Sequence, residues 1–151
     1  MFIQLDVGGL RKIKTFNGAV AIVYINNPVR KYAIIHSHRG FGLPGGGFEL
    51  GDQSTEDIIK REIKEELGLE EKDYYLRKTN LVEEFTYDDN KGERSGKTTK
   101  RAVYLAEIFT VFFNPIDPKV IRIELYSEDK IREKLTWPNA LDIFNKGINL
   151  I

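Results

Sequence analysis

The chain has 151 residues, the length of one ordinary domain, and we expect a single domain over residues 1–151. Its 23 basic side chains are balanced by 23 acidic ones, which excludes a nucleic-acid binder that works through a basic excess. The absence of cysteine excludes a disulfide scaffold, a thiolate metal site and a cysteine nucleophile.

No segment of the sequence resembles a targeting signal or a membrane span. Residues 1–10 lack a basic region followed by an apolar run. The longest apolar stretch, residues 19–25, is far shorter than the ~20 residues that a membrane-spanning helix needs. We therefore expect a cytoplasmic protein without a membrane partner.

The first elements in chain order are two strands and a glycine-rich loop. Residues 19–25 are rich in β-branched side chains and predict a buried strand. Turn residues at 26–28 separate it from a second predicted strand, 31–37, so the two form a hairpin. Residues 39–47 follow as a loop, because so many glycines favour neither a helix nor a long strand.

Residues 54–67 form the clearest predicted helix. Ser54 suits the N-cap, Asp57 stands three residues later, and Gly68 suits the left-handed position after the last turn. An apolar stripe recurs every four residues, at Ile59, Ile63 and Leu67.

The second half of the chain alternates strands and short helices. We predict strands over residues 81–87, 101–112 and 121–126, a polar loop over 88–99, and helices over 127–135 and 138–146. The last helix begins at Pro138 and is followed by Gly147, as helix ends favour. This order predicts an α+β fold, a mixed sheet between helices rather than a regular βαβ repeat.

Three carboxylates crowd one face of the 54–67 helix. Glu62, Glu65 and Glu66 stand at positions i, i+3 and i+4, so they repel one another and call for a compensating cation. Hard carboxylate oxygens select magnesium, manganese or calcium over zinc. The alternative is a solvated charged face, but the preceding glycine loop lets backbone groups approach a phosphate or metal closely.

The same residues carry a resemblance to a known family. Residues 61–69 match the Arg-Glu-aliphatic-x-Glu-Glu-x-Gly-aliphatic half of a Nudix box, and residues 43–46 match the Leu-Pro-Gly-Gly that commonly precedes it. The chain thus resembles a Nudix hydrolase. The resemblance implies an α/β/α sandwich with a mixed sheet and a loop-helix-loop that carries the site.

The first half of the box admits two registers. Counting back from Arg61 places Gly47 and Gln53 at the family's glycine and glutamate positions. Aligning on Gly46 instead places Asp52 at the glutamate position, with one inserted residue before Arg61. We favour the second register, which keeps the preceding Pro-Gly-Gly in place.

The resemblance implies a pyrophosphohydrolase acting on a nucleoside diphosphate linked to a further group, with Mg²⁺ or Mn²⁺ as cofactor and water as nucleophile. Glu65 and Glu66 would be metal ligands, and Glu62 would bind metal or act as the base toward water. The Gly45 carbonyl would complete the coordination. Arg61 would orient a glutamate through its planar fork. We expect substrate contacts from Arg39, Gly46 and Tyr87.

The substrate remains open between a dinucleoside polyphosphate and a nucleoside triphosphate. Tyr87 lies eighteen residues past Leu69, and residues 100–107 are similar to a strand of diadenosine polyphosphate hydrolases, where such a tyrosine is linked to base stacking. Many family members use a further carboxylate outside the box. The sequence does not choose among Glu83, Glu84, Glu107 and Glu124.

Two functions from different classes follow from this resemblance. One is the enzyme, and the other is a nucleotide-binding or sensing module that has lost turnover. The complete glutamate set favours the enzyme. The expected partner is a small-molecule nucleotide, no nucleic acid is expected, and a homodimer is compatible with the sequence.

Overall fold

The computed structural model describes residues 16–86, 96–135 and 138–151. In chain order the elements are strands β1 (Gly18–Asn26), β2 (Arg30–Ser37), β3 (Gly40–Gly42) and β4 (Gly45–Gly47), helix α1 (Thr55–Leu67), a 3₁₀ turn (Glu71–Asp73), strands β5 (Tyr74–Thr86), β6 (Thr98–Ile108) and β7 (Val120–Tyr126), helices α2 (Glu128–Lys134) and α3 (Pro138–Gly147), and a second 3₁₀ turn (Ile148–Leu150).

The strands form one mixed sheet, as predicted. Its main path runs β3-β2-β1-β6-β5, while β4 pairs with β1 and β7 pairs with β2. The pairing of β1 with β6 is parallel, and the other pairings are antiparallel. The predicted hairpin of the first two strands is confirmed, with Val23 opposite Ala33.

The sheet lies between two helical layers, which confirms the predicted α/β/α sandwich. Alternate residues of β1 face opposite ways and are buried on both sides, which explains its unbroken apolar sequence. One face packs on α1 through Ile59 and Ile63. The other face packs on α2 and α3, where the Phe144 ring meets Tyr32 edge-on at 4.9 Å.

The helices agree with prediction to within a residue or two. Ser127 is the N-cap of α2, and Pro138 is the first residue of α3. The longest helix, α1, has 13 residues. In the described ranges, the structure contains no helix with the length and hydropathy needed to cross a membrane.

Three strand boundaries differ from the sequence prediction. Strand β5 begins at Tyr74 rather than at residue 81, because its first half is partly exposed at the sheet edge and lacks an apolar pattern. Strand β6 ends at Ile108 rather than at residue 112, since Phe109 and Phe112 point into solvent although their side chains favour strands. The predicted 88–99 loop also loses its last two residues to β6.

The glycine-rich run differs from a plain loop. It contains two three-residue strands, β3 and β4. Strand β4 places Gly46 beside Ala19 of β1, and Ala21 donates its backbone N–H to the Pro44 carbonyl at 2.9 Å. Backbone pairing needs no side chain, so glycines can form these strands where the sequence suggested a loop.

Candidate active site

Both ends of helix α1 are fixed. Ser54 Oγ accepts a hydrogen bond from the Asp57 backbone N–H at 3.1 Å, and Gly68 adopts the left-handed conformation with φ of 71°. Beyond the last turn, the backbone N–H groups of Asn114, Ile116 and Asp117 donate to carbonyls of Leu67 and Glu65. The helix therefore holds its glutamates in a fixed position relative to the sheet.

Strand β4 presents its backbone directly to two of these glutamates. The Gly45 N–H donates to Glu66 Oε1 at 2.9 Å. A Cβ atom at Gly45 would lie 2.5 Å from the Ala19 carbonyl oxygen, and one at Gly46 would overlap the Glu62 carboxylate. Only glycines allow the strand to lie so close to both β1 and the glutamates.

Gly46→Ala is expected to lower kcat by about 10- to 100-fold while the protein still folds. The added methyl group would meet the end of the flexible Glu62 side chain, which can move aside and so lose its position. Steady-state kinetics and circular dichroism measure the two effects. Gly42→Ala is the matched control, because its Cβ would have no atom within 4 Å. Equal rates in the two variants would contradict the prediction.

Arg61 connects the glycine strand, the following turn and the glutamates. Its Nη2 lies 2.7 Å from Asp52 Oδ2 and donates to the Gly47 carbonyl at 2.8 Å. Its Nη1 lies 2.9 Å from Glu49 and, at a weaker contact distance of 3.5 Å, from both Glu62 and Glu65. Arg61 thereby orients the carboxylates around it.

Asp52, which the favoured register places at the family's glutamate position, lies beside Arg61. Its side chain is buried, with 5% exposed, and it accepts a hydrogen bond from the Glu49 backbone N–H at 2.8 Å. Burial opposes ionisation, but the hydrogen bonds from Arg61 and from Glu49 hold the pKa of Asp52 below its usual range. The contact of Arg61 with Asp52 favours the register that begins at Gly46.

Two of the three helix glutamates, Glu62 and Glu66, hold protons more tightly than usual. Burial raises the pKa of Glu62 to about 7. The positive charge of Arg61 opposes this shift, and the negative charge of Glu65 adds to it. Burial and the charge of Glu62 raise the pKa of Glu66 to about 8, although the hydrogen bond from the Gly45 N–H lowers it. A cation beside them would favour the ionised forms.

This donor set fits a hard divalent cation. Glu62, Glu65 and Glu66 supply carboxylate oxygens from one helix face, the backbone of Gly45 lies against them, and burial leaves two of the charges poorly solvated. Among the described residues, no three acidic or histidine side chains are close enough together to hold a metal ion in the conformation seen. Arg61, at 3.5 Å from two of the glutamates, partly offsets their charge instead.

A cleft with a volume of about 870 Å³ opens over the glutamates. Arg39 lines it and is exposed, and its backbone N–H donates to Ser37 Oγ at 3.1 Å. Gly46 also lines the cleft, whereas Tyr87 lies outside the described residues. The structure thus brings most of the predicted site residues to one cavity.

The four candidate outer carboxylates differ in position. Glu83 lines the cleft and is 3% exposed. Glu84 faces away and lies 4.0 Å from Lys100, while Glu107 and Glu124 lie outside the cleft lining. Sequence alone could not select Glu83, because the facing of β5 depends on its register with β6.

Comparison with known proteins agrees with this architecture. The NUDIX domain family profile matches residues 15–145. An Ap4A hydrolase from C. elegans, solved as a binary complex, superposes with a TM-score of 0.73 at 12% identity, over 90% of this chain and 97% of that one. The NUDIX domain of NrtR from Shewanella oneidensis, complexed with ADP ribose, gives a TM-score of 0.71 at 13% identity, over 97% and 98%.

A third solved structure is similar to the same extent. The dihydroneopterin triphosphate pyrophosphohydrolase of E. coli gives a TM-score of 0.71 at 10% identity, over 91% of this chain and 100% of that one. No curated protein sequence matches the chain significantly. The chain belongs to the NUDIX domain family. Family membership and the complete set of box glutamates support a pyrophosphohydrolase.

Proposed function

We propose that the protein hydrolyses a phosphoanhydride bond of a nucleotide, with water as the nucleophile and Mg²⁺ or Mn²⁺ as the cofactor. The observation that carries this proposal is the pair formed by buried Glu62 and partly buried Glu66, which lie against the β4 glycines on one wall of a cleft large enough for a nucleotide. A substrate with two or more linked phosphates suits this cleft. Dinucleoside polyphosphates and nucleoside triphosphates are the leading candidates.

The metal would be held by Glu62, Glu65 and Glu66, together with the Gly45 carbonyl. When bound, a divalent ion neutralises phosphate charge and makes water more acidic. Glu62 would bind the metal or act as the base toward the attacking water, directly or through the metal. No covalent intermediate with the protein is needed.

The remaining residues bind and orient. Arg61 positions Glu62 and Glu65, and Asp52 holds Arg61 in place from behind. Arg39 and the backbone at Gly46 are proposed to contact the phosphates from the cleft walls. Tyr87 is proposed to contact the nucleobase.

A panel of nucleotides tests the proposal. Release of phosphate or of nucleotide products is measured with magnesium, with manganese and with a chelator. The panel includes diadenosine tetraphosphate, deoxynucleoside triphosphates, an oxidised guanine nucleotide, ADP-ribose and a nucleotide sugar. Metal-dependent turnover of one class supports the enzyme and identifies its substrate.

The second candidate is a nucleotide-binding module without turnover. It is suggested by similarity to the NUDIX domain that was solved with ADP ribose. Tight binding of one nucleotide from the panel with no hydrolysis, with metal present, would favour this function over the enzyme.

Metal affinity is expected to rise with pH. Glu62 and Glu66, with pKa values of about 7 and about 8, must lose protons to act as ligands. The dissociation constant for Mn²⁺ should fall at least about tenfold between pH 6 and pH 8.5. Isothermal titration calorimetry in buffers of different ionisation enthalpy measures both this change and the protons released. A pH-independent affinity without proton release would contradict it.

A further inference from the structure

A buried carboxylate lies in the cleft wall that β5, β6 and α3 form. Glu83 of β5 stands directly opposite Arg101 of β6 and is 3% exposed. Its Oε1 lies 3.3 Å from Arg101 Nε, and its Oε2 accepts a hydrogen bond from Asn139 Nδ2 at 3.1 Å. Glu83 therefore joins three elements of the fold through polar contacts.

The ion pair with Glu83 restrains the Arg101 side chain. A carboxylate this deeply buried requires a compensating charge, and Arg101 supplies it. The guanidinium also lies over the Phe85 ring, 5.0 Å from its centroid. Its Nε lies within ion-pair distance of Glu83 without a hydrogen bond to Oε1, and the two terminal nitrogens donate no hydrogen bond to another described residue. Arg101 lines the cleft with its side chain 22% exposed.

Arg101 differs from the other cations around the cleft. Arg39, Lys97 and Lys119 line it but are exposed, so nothing comparable limits their side-chain freedom. Arg61 is enclosed, but its guanidinium already pairs with carboxylates. Of the cations in the described part of the chain, Arg101 therefore combines a fixed position with unused donors in the cleft.

The sheet register connects Arg101 with the glutamate site. Gly18 of β1 pairs with Gly47 of β4 on one side and with Arg101 on the other. A Cβ at Gly18 would lie 2.6 Å from the Gly46 carbonyl oxygen and 3.1 Å from Cγ of Arg101. Strand β4 and the Arg101 position on β6 are thus two strand spacings apart, or about 10 Å, and both line the cleft. A chain of phosphates can extend between them.

We propose that Arg101 is an anion-binding residue for a second phosphate of the substrate, beyond the phosphorus that water attacks, and that Glu83 and Phe85 are positioning residues for its guanidinium. This inference rests on the proposed function for the identity of the substrate. The planar fork matches two phosphate oxygens, and its fixed position reduces the entropy lost on binding.

The test is binding of inorganic pyrophosphate, measured by calorimetry with a chelator present, so that protein cations alone hold the anion. Arg101→Gln should weaken binding by about 10- to 100-fold. Arg101→Lys should recover part of the loss, since the charge is kept and the fork is lost. Glu83→Gln should weaken binding less than Arg101→Gln, because the guanidinium remains but is less restrained.

The matched controls are Glu84→Gln and Lys100→Gln. These residues form the next register pair of the same two strands, 4.0 Å apart, and do not line the cleft. They make the same charge changes and should leave binding unchanged. Equal weakening by Lys100→Gln, unaltered binding by Arg101→Gln, or no pyrophosphate binding by the wild-type protein would each overturn the proposal.

Kinetics separate this proposal from the proposed function. With the substrate found in the panel, Arg101→Gln should raise KM at least about tenfold and change kcat less than about threefold. Loss of kcat at unchanged KM would overturn it, since that pattern indicates a role in the transition state alone. If the wild-type protein binds pyrophosphate but hydrolyses no nucleotide, the proposed hydrolysis fails, and the pyrophosphate titrations still decide the role of Arg101.

Discussion

Glu66→Gln is expected to lower kcat at least about 100-fold while leaving the fold intact. The amide can still accept the Gly45 N–H bond through its oxygen, so the backbone contact at 2.9 Å survives. The negative charge is lost, and with it one of the proposed ligands of the divalent ion. Glu65→Gln should have an effect of similar size for the same reason.

The measurement is kcat at saturating substrate and metal, together with thermal unfolding in chelator. Glu66→Gln should unfold at the same or a higher temperature than wild type, because glutamine needs neither the burial of a charge nor the uptake of a proton on folding. Glu56→Gln is the control on the same helix, since Glu56 is exposed and pairs with Lys60 away from the cleft. Full activity in Glu66→Gln would refute its assignment as a ligand.

Arg61→Ala is expected to lower both stability and activity. Asp52 and Glu62, with 5% and 8% exposed, would lose the cation that compensates them. The free energy of unfolding should fall by about 2–4 kcal/mol. We expect kcat to fall about 100-fold or more, because Glu62 and Glu65 would no longer be oriented.

Urea unfolding and kinetics of the same preparations measure these two effects. Arg61→Lys should fall between wild type and alanine, as lysine keeps the charge but cannot bridge Asp52 and the Gly47 carbonyl together. Arg132→Ala is the control, because Arg132 lies at the surface and pairs with Glu128, Asp129 and Asn145 away from the cleft. Its loss should cost less than about 1 kcal/mol. Equal stability losses in Arg61→Ala and Arg132→Ala would contradict the central role of Arg61.

The raised pKa values of Glu62 and Glu66 make the stability of the metal-free protein depend on pH. Glu62 and Glu66 keep their protons in the folded state at pH values where the unfolded chain has lost them. Their contribution to stability therefore decreases as pH rises from about 5 to about 8. Added Mn²⁺ should reverse this trend at the upper end.

The sequence predicted correctly those elements whose local pattern of side chains matches their burial and end residues in the fold. Strand β1 was recognisable because burial on both faces leaves apolar side chains throughout. Helix α1 was delimited by Ser54 and Gly68, whose capping roles depend only on neighbouring residues. The start of β5 and the end of β6 were misplaced, since an edge strand such as Tyr74–Thr86 is stabilised by its partner rather than by its own apolar pattern.

The site residues also fall into those that local spacing predicts and those that depend on long-range strand pairing. Spacing along one helix was enough to group Glu62, Glu65 and Glu66, because helix geometry fixes which side chains share a face. The role of Arg101 required the register of three strands, which no local pattern encodes. Glu83 could be named as one of four candidates, but its burial follows from that same long-range pairing.

The parallel pairing of β1 with β6 also determines when the site can form during synthesis. Gly18 is among the first described residues, yet its partner on one side is Arg101, and the carbonyls at the end of α1 are bonded by residues 114–117. A nascent chain that ends before these residues lacks the neighbours of its central strand. We therefore expect ribosome-bound fragments shorter than about 120 residues to remain sensitive to proteolysis, and the glutamate cluster to assemble late in translation.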